Sequence, residues 1–180
     1  MDSYNLEIKN KEYKKYIDEH IANVFKVYKV YGDKLCERLG IDHERLGDMI
    51  KDHDQSKYTS EEFEGYRCHF YPTPEEEADV ESKAFRKKKF DSAWLFHLRR
   101  NPHHPEFWVY VDDEGTTRCH PMDPMHIAEM ILDWAAIGIV FNDTAYEYWS
   151  KNGHSKPLHY DSIMLIDKCI DIFKDPIHKD

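Results

Sequence analysis

The stretch Asp123–Phe141, DPMHIAEMILDWAAIGIVF, decides the fold class of this 180-residue chain. Asp123 has the short carboxylate that caps a helix start, and Pro124 suits a first helical position, where no N–H is needed. From Ile127 to Phe141 the residues are apolar nearly all round, which predicts a buried central helix with no solvated face. Within that span only Glu129 and Asp133 ionise, and their spacing puts them on one helix face. A carboxylate buried without a partner is costly, so a cation, an arginine or strong hydrogen bonds must meet Asp133 there.

The same punctuation runs outward in both directions and predicts an all-α chain. Ile17, Ile21, Val24, Phe25 and Tyr28 recur at helical spacing, giving a first helix from about Lys11 to Leu39 that ends near Gly40. Asp42 caps a second helix, which carries Leu46, Met49 and Ile50 inward and reaches the segment HDQSK. Thr59 and Glu62 have capping-box spacing for a third. Thr73, Pro74 and Glu76 open a further helix that extends towards Arg100. Between Trp108 and His120, the run VYV, a DDEG turn and TTRCH predict a small β-hairpin inserted among the helices. Beyond Phe141, one helix is capped near Asp143 and stopped by Gly153, and a last one occupies about Leu158 to Phe173. There is no internal repeat and no linker long enough to divide domains. The expectation is one domain over residues 1–180, with its core at about 10–160 and a C-terminal helix at about 158–173.

Composition narrows the function classes. An apolar fraction of 41%, with 14% aromatic residues, supplies a core, and 33% charged residues give a solvated surface. The formal charge of -10 argues against broad nucleic-acid binding, which draws its affinity from many lysines and arginines. A small anionic substrate remains compatible if a local cation attracts it. There is no signal-like start and no run of about 18 uninterrupted apolar residues for a membrane span, so the chain is expected in the cytoplasm and off the membrane. Cys36, Cys68, Cys119 and Cys169 form no CxxC pair and read as reduced structural thiols.

Against that acidic background the histidines stand out. His20 sits between Ile17 and Val24 at helical spacing and points to their buried side. His53 follows Met49 and Ile50 by four and three residues, with Asp54 beside it, and His97 follows Ala93 and Trp94 in the same way. Together with Asp133, these place potential ligands on four inward helix faces. One or two divalent metal ions (iron, manganese, cobalt, zinc or magnesium), held by imidazole nitrogens and carboxylate oxygens, would satisfy all of them at once. Glu129 is placed to orient a ligand or to form an ion pair. His103 and His104, in NPHHPEFW, follow the end of a helix and can swing back towards the same centre, or cap the turn. Lys57 follows the His53–Asp54 pair closely and either holds a substrate anion or pairs with Glu61 or Glu62. His43, His69, His120, His126, His154, His159 and His178 lack an inward pattern and are expected at the surface. The basic run Arg86–Lys89 reads as a solvated helix face that would attract phosphate only weakly.

In this order, His20, then His53 and Asp54, then Asp133 resembles the H…HD…D signature of the HD superfamily of metal-dependent phosphohydrolases. His97, His103 and His104 resemble the extra ligands of members that hold two metals. The segments HDQSK, NPHHPEFW, EMILDW and WSKNG are similar to an uncharacterised HD-like family of bacteria and phages, over roughly residues 10–160. The resemblance implies an HD-domain helical bundle of about five core helices and hydrolysis of a nucleotide or another small phosphoester. His20, His53, Asp54 and Asp133 would then hold the first ion. Asp54 would bridge to a second at His97, His103 and His104, with Lys57 neutralising phosphoryl charge. The GYP motif of cyclic-dinucleotide phosphodiesterases is absent. The two-metal pattern equally resembles HD-type diiron oxygenases, and a non-catalytic, metal-stabilised binding module is the third alternative.

Overall fold

The computed structural model describes residues 3–177 except Asp79. The described residues are all-α with one small antiparallel hairpin. In chain order the helices are α1 (Ser3–Leu39), α2 (His43–Lys51), α3 (Ser60–Phe70), α4 (Pro74–Ala78), α5 (Val80–Arg100), α6 (Pro124–Phe141), α7 (Ala145–Asn152) and α8 (Tyr160–Cys169). The strands β1 (Val109–Val111) and β2 (Thr117–Cys119) pair with Val109 opposite Cys119 and Val111 opposite Thr117. The chain forms two compact units, Met1–Glu19 with Asp54–Asn101, and His20–His53 with Pro102–Asp180.

In the second unit the core gathers around α6. Leu35, Leu46, Ile50, Ile127, Ile131, Leu132 and Ile166 are fully buried there. Trp134 stacks on Trp149 of α7 with ring centres 5.8 Å apart. By length and composition alone α6 is apolar enough to cross a membrane, but 72% of it is buried inside the protein, as befits a core helix. Its ends follow from local chemistry. Asp123 accepts from the N–H of Met125 at 2.8 Å, and Asn142 closes the helix in the left-handed region. Helix α1 ends at Gly40, whose φ of +70° lets its N–H and that of Ile41 both reach the carbonyl of Cys36. The hairpin turn is organised by Asp112, whose Oδ1 accepts from the N–H groups of Glu114 and Thr116.

The first unit is built on α3 against α5. Gly65 is required at their crossing, since a Cβ there would lie 2.6 Å from the Cβ of Ala93 and 2.7 Å from the carbonyl of Lys89. Tyr13 of α1 is buried among Phe63, Tyr66 and Tyr71. Arg67 grips Glu76 through both Nη atoms, at 2.5 and 2.9 Å, while Glu76 forms the expected capping box with Thr73.

Several expected boundaries shift, each for a local reason. Helix α1 begins at Ser3 rather than near Lys11. The helix expected from Pro74 towards Arg100 is described as α4 and α5 on either side of Asp79, which lies outside the described residues. The cap before α7 is Thr144, in a reciprocal capping box with Glu147, rather than Asp143. Thr59 makes no side-chain cap on α3 and donates its hydroxyl to the Ser56 carbonyl, because the Glu62 carboxylate is turned inward. Most consequentially, α2 stops at Lys51. His53 and Asp54 therefore sit in a turn and not on the helix face their spacing suggested, and Lys57 lies in the 3-10 turn Gln55–Tyr58.

Candidate metal centre

In the second unit, the buried stripe of α1 that carries Ile17 and Val24 also carries His20, 7% exposed. His53 enters from the turn after α2, and α6 presents Glu129 and Asp133 one turn apart. The Nε2 of His20 lies 3.1 Å from Asp133 Oδ1, and the Nε2 of His53 lies 3.8 Å from the same oxygen. These distances bracket the ~3.4 Å expected between donor atoms of a tetrahedral ion with bonds near 2.1 Å. Asp133 Oδ1 is buried and receives no hydrogen bond of acceptable geometry, although two imidazoles face it. A cation would resolve that arrangement, and the ligand atoms of the three residues all lie within 4.8 Å of one another.

Glu129 orients the rings. Its Oε1 lies 3.0 Å from His53 Nδ1 and 3.3 Å from His103 Nδ1, and its Oε2 lies 3.2 Å from His126 Nδ1. A proton on His53 Nδ1, donated to this carboxylate, leaves the Nε2 lone pair facing Asp133, which is the tautomer a metal ligand needs. Burial pushes both acids up, but the imidazoles outweigh it. His103, His126 and His53 hold Glu129 well below the usual carboxylate range, and His20 and His53 do the same for Asp133. Glu129 with His53 and His103 forms a further group able to hold an ion.

The first unit carries a second constellation. His97 Nδ1 lies 2.9 Å from Glu62 Oε2, and its Nε2 faces Asp54 Oδ1 at 3.4 Å. Ser56 donates to Glu62 at 3.0 Å, and Asn101 donates to Ser56 at 2.9 Å and to the His97 carbonyl at 2.8 Å. Burial depresses the His97 pKa against the opposing pull of Glu62 and Asp54, which favours a neutral imidazole with a lone pair to give. Asp54 has φ of 57°. Left-handed backbone at a non-glycine residue is a local strain that functional turns commonly carry. Lys57 Nζ lies 2.6 Å from Asp54 Oδ2; Glu61, one of its two expected partners, instead meets Arg100.

His103 is buried, and His104 beside it is half-buried with its ring centre 4.4 Å away. Among the weaker histidines, His43, His120 and His154 are exposed, as expected. His159 caps α8, His69 stacks on Phe90, and His178 lies outside the described residues. His126 departs from its expected surface role through its contact with Glu129. Its signal in the sequence was its position one helical turn before that glutamate. Glu62 is the other residue missed. Its fit to a capping box concealed a fully buried carboxylate.

The model of a family of unknown function, DUF5662, matches residues 9–172 of the chain. No curated protein matches, and no solved structure matches.

Proposed function

We propose that this chain, which belongs to the DUF5662 family of unknown function, is a metal-dependent phosphohydrolase of HD type acting on a nucleotide or another small phosphoester. The observation that carries the proposal is the buried Asp133 Oδ1 faced by the Nε2 atoms of His20 and His53, with Glu129 fixing His53 from behind. In the second unit His20, His53 and Asp133 would hold one ion. In the first unit Asp54 and His97 would hold another. A divalent ion in such a site supplies Lewis acidity towards a phosphoryl oxygen and makes water a usable nucleophile near neutral pH.

The chain's own groups have separable tasks. Glu129 and Glu62 hold His53 and His97 in the tautomer that presents Nε2. Asp54 accepts from Lys57, and on substrate arrival the Lys57 ammonium moves from that carboxylate to the phosphoryl oxygens, where negative charge develops. Four free cysteines suit a reducing, cytoplasmic setting.

The test has two arms. Elemental analysis of the purified full chain is expected to give one or two equivalents of a first-row divalent metal. The metal-loaded protein is expected to release phosphate from nucleoside monophosphates or an aryl phosphomonoester, or to open cyclic nucleotides to their monophosphates, with manganese, cobalt, magnesium or iron. Metal retention without turnover on any of these would sink the hydrolase. The donor set, rich in neutral imidazole, also suits iron, so oxygen uptake with a mixed-valence iron resonance would favour the diiron oxygenase instead. Metal-dependent folding with neither activity would leave the binding module.

A further inference from the structure

We propose that the first unit contains a separate binding site for a small amphipathic anion, one with a single carboxylate or phosphate head on a ring-sized apolar body. A cavity of about 520 Å³ lies between the start of α1, α3 and α5, lined by Leu6, Phe63, Arg67, Phe85, Arg86 and Lys89 among others. Its volume falls in the range of small-molecule sites, roughly 300 to 1,000 Å³. None of its residues belongs to the metal centre.

The charges of the lining do not cancel. Arg67 is committed to Glu76 through both Nη atoms, and Lys89 to Glu64. Arg86 remains. Among the described residues no carboxylate lies within ion-pair distance of it, although Glu76 on the same cavity wall feels its charge, and its Nη1 is buried without a hydrogen-bond partner. Arg67, 2% exposed, likewise has a buried Nε with no hydrogen bond. Two guanidinium groups with unmet donors at one cavity are costly in a chain of net charge -10 unless an anion meets them, and guanidinium matches the planar or tetrahedral oxygens of carboxylate and phosphate.

The walls define the rest of the ligand. Leu6 and Phe63 are half-buried on one side, and Phe85, 58% exposed, forms the rim. Lys89 Nζ lies 4.9 Å from the centre of the Phe85 ring and holds it in place. An aryl body laid against these rings leaves its anionic head towards Arg86. Within the basic run Arg86–Lys89, Arg86 and Lys89 share the cavity face, while Lys87 and Lys88 point to solvent and Lys87 pairs with Asp91.

Calorimetric titration of the full chain tests the site. Phenylphosphonate, which resists hydrolysis, and 1-naphthoate are expected to bind at least tenfold more tightly than inorganic phosphate or neutral 2-phenylethanol. A preference between the two aryl anions identifies the head group. Arg86→Gln should weaken both at least tenfold, Arg86→Lys less. Phe85→Ala, at an exposed position that tolerates truncation, should weaken the aryl anions and leave inorganic phosphate unchanged. Asp133→Asn should bind the aryl anions as the natural chain does, which separates this site from the metal centre. Unchanged affinity in folded Arg86→Gln, loss of binding in folded Asp133→Asn, or no binding by either aryl anion at millimolar concentration would overturn the proposal.

Discussion

The two units each contain a buried glutamate, a histidine and an aspartate in the same relation. In the second unit Glu129 meets Nδ1 of His53 at 3.0 Å, and Nε2 faces Asp133 at 3.8 Å. In the first unit Glu62 meets Nδ1 of His97 at 2.9 Å, and Nε2 faces Asp54 at 3.4 Å. What differs is the company each group keeps. Glu129 is approached by three imidazoles and Glu62 by one imidazole, a serine and the Arg100 guanidinium at 3.7 Å, whereas Asp54 also has the Lys57 ammonium 2.6 Å away. Asp133 is approached by imidazoles, which are weak substitutes for a cation when neutral. The second unit should therefore bind its ion tightly, and the first more weakly, because Lys57 already supplies positive charge there.

The largest effect should come from Asp133→Asn, which removes the carboxylate on which His20 and His53 converge. Elemental analysis should show the tightly held metal lost, and turnover should go with it. Added metal should no longer raise the melting temperature, although ligand at 100 times Kd ordinarily stabilises by about 2.7 kcal/mol. If this variant keeps its tight metal, the ordering of the two units is wrong.

Glu129→Gln and Glu62→Gln then measure the two orienting glutamates against each other. Loss of such a partner typically costs about 10- to 100-fold in metal affinity. Chelator competition should put Glu129→Gln near the upper end, since three rings are left with one uncharged acceptor oxygen in place of two anionic ones, and Glu62→Gln near the lower. Lys57→Gln should do the opposite to affinity. Freed of the ammonium, the Asp54–His97 pair should take up a weakly held ion about tenfold more tightly, a change of 1.4 kcal/mol, while turnover falls. Equal or weaker uptake would remove the explanation offered for the difference.

The smallest effect concerns stability in acid. Burial raises the Glu76 carboxyl, but its bonds to Arg67 and Thr73 and the nearby charges of Arg67 and Arg86 leave it below its ordinary value. A carboxyl depressed in the folded state contributes stability that is complete above its unfolded pKa and is lost as pH falls through the folded value. The natural chain should therefore exceed Glu76→Gln in urea midpoint at pH 6, and the gap should close below about pH 4.5, the unfolded reference. A gap that widens in acid would contradict this, as would a larger effect than that of Asp133→Asn.

Much of this was legible along the chain because helix signals are local. The cap at Asp123, the capping box at Thr73, the apolar run after Ile127 and the hairpin between Trp108 and His120 each depend on residues a few positions apart. The inward placement of His20 and His97 follows from the same spacing, and both are buried. His53 is buried as its spacing predicts, but it is not on a helix face: α2 ends at Lys51 and a turn, with Asp54 in the left-handed region, delivers the imidazole.

By itself, then, the sequence determined the helical class, the helix starts at Thr73 and Asp123 and the inward placement of His20, His97 and Asp133, since periodicity and capping act within about four residues. Only the tertiary structure decided which ring nitrogen each histidine presents. That choice depends on Glu129, 76 residues from His53, and on Glu62, 35 residues from His97. Tertiary packing also fixed the partners of Lys57 and Arg67, because a charged side chain on a helix has several carboxylates within reach along the chain and only burial selects among them.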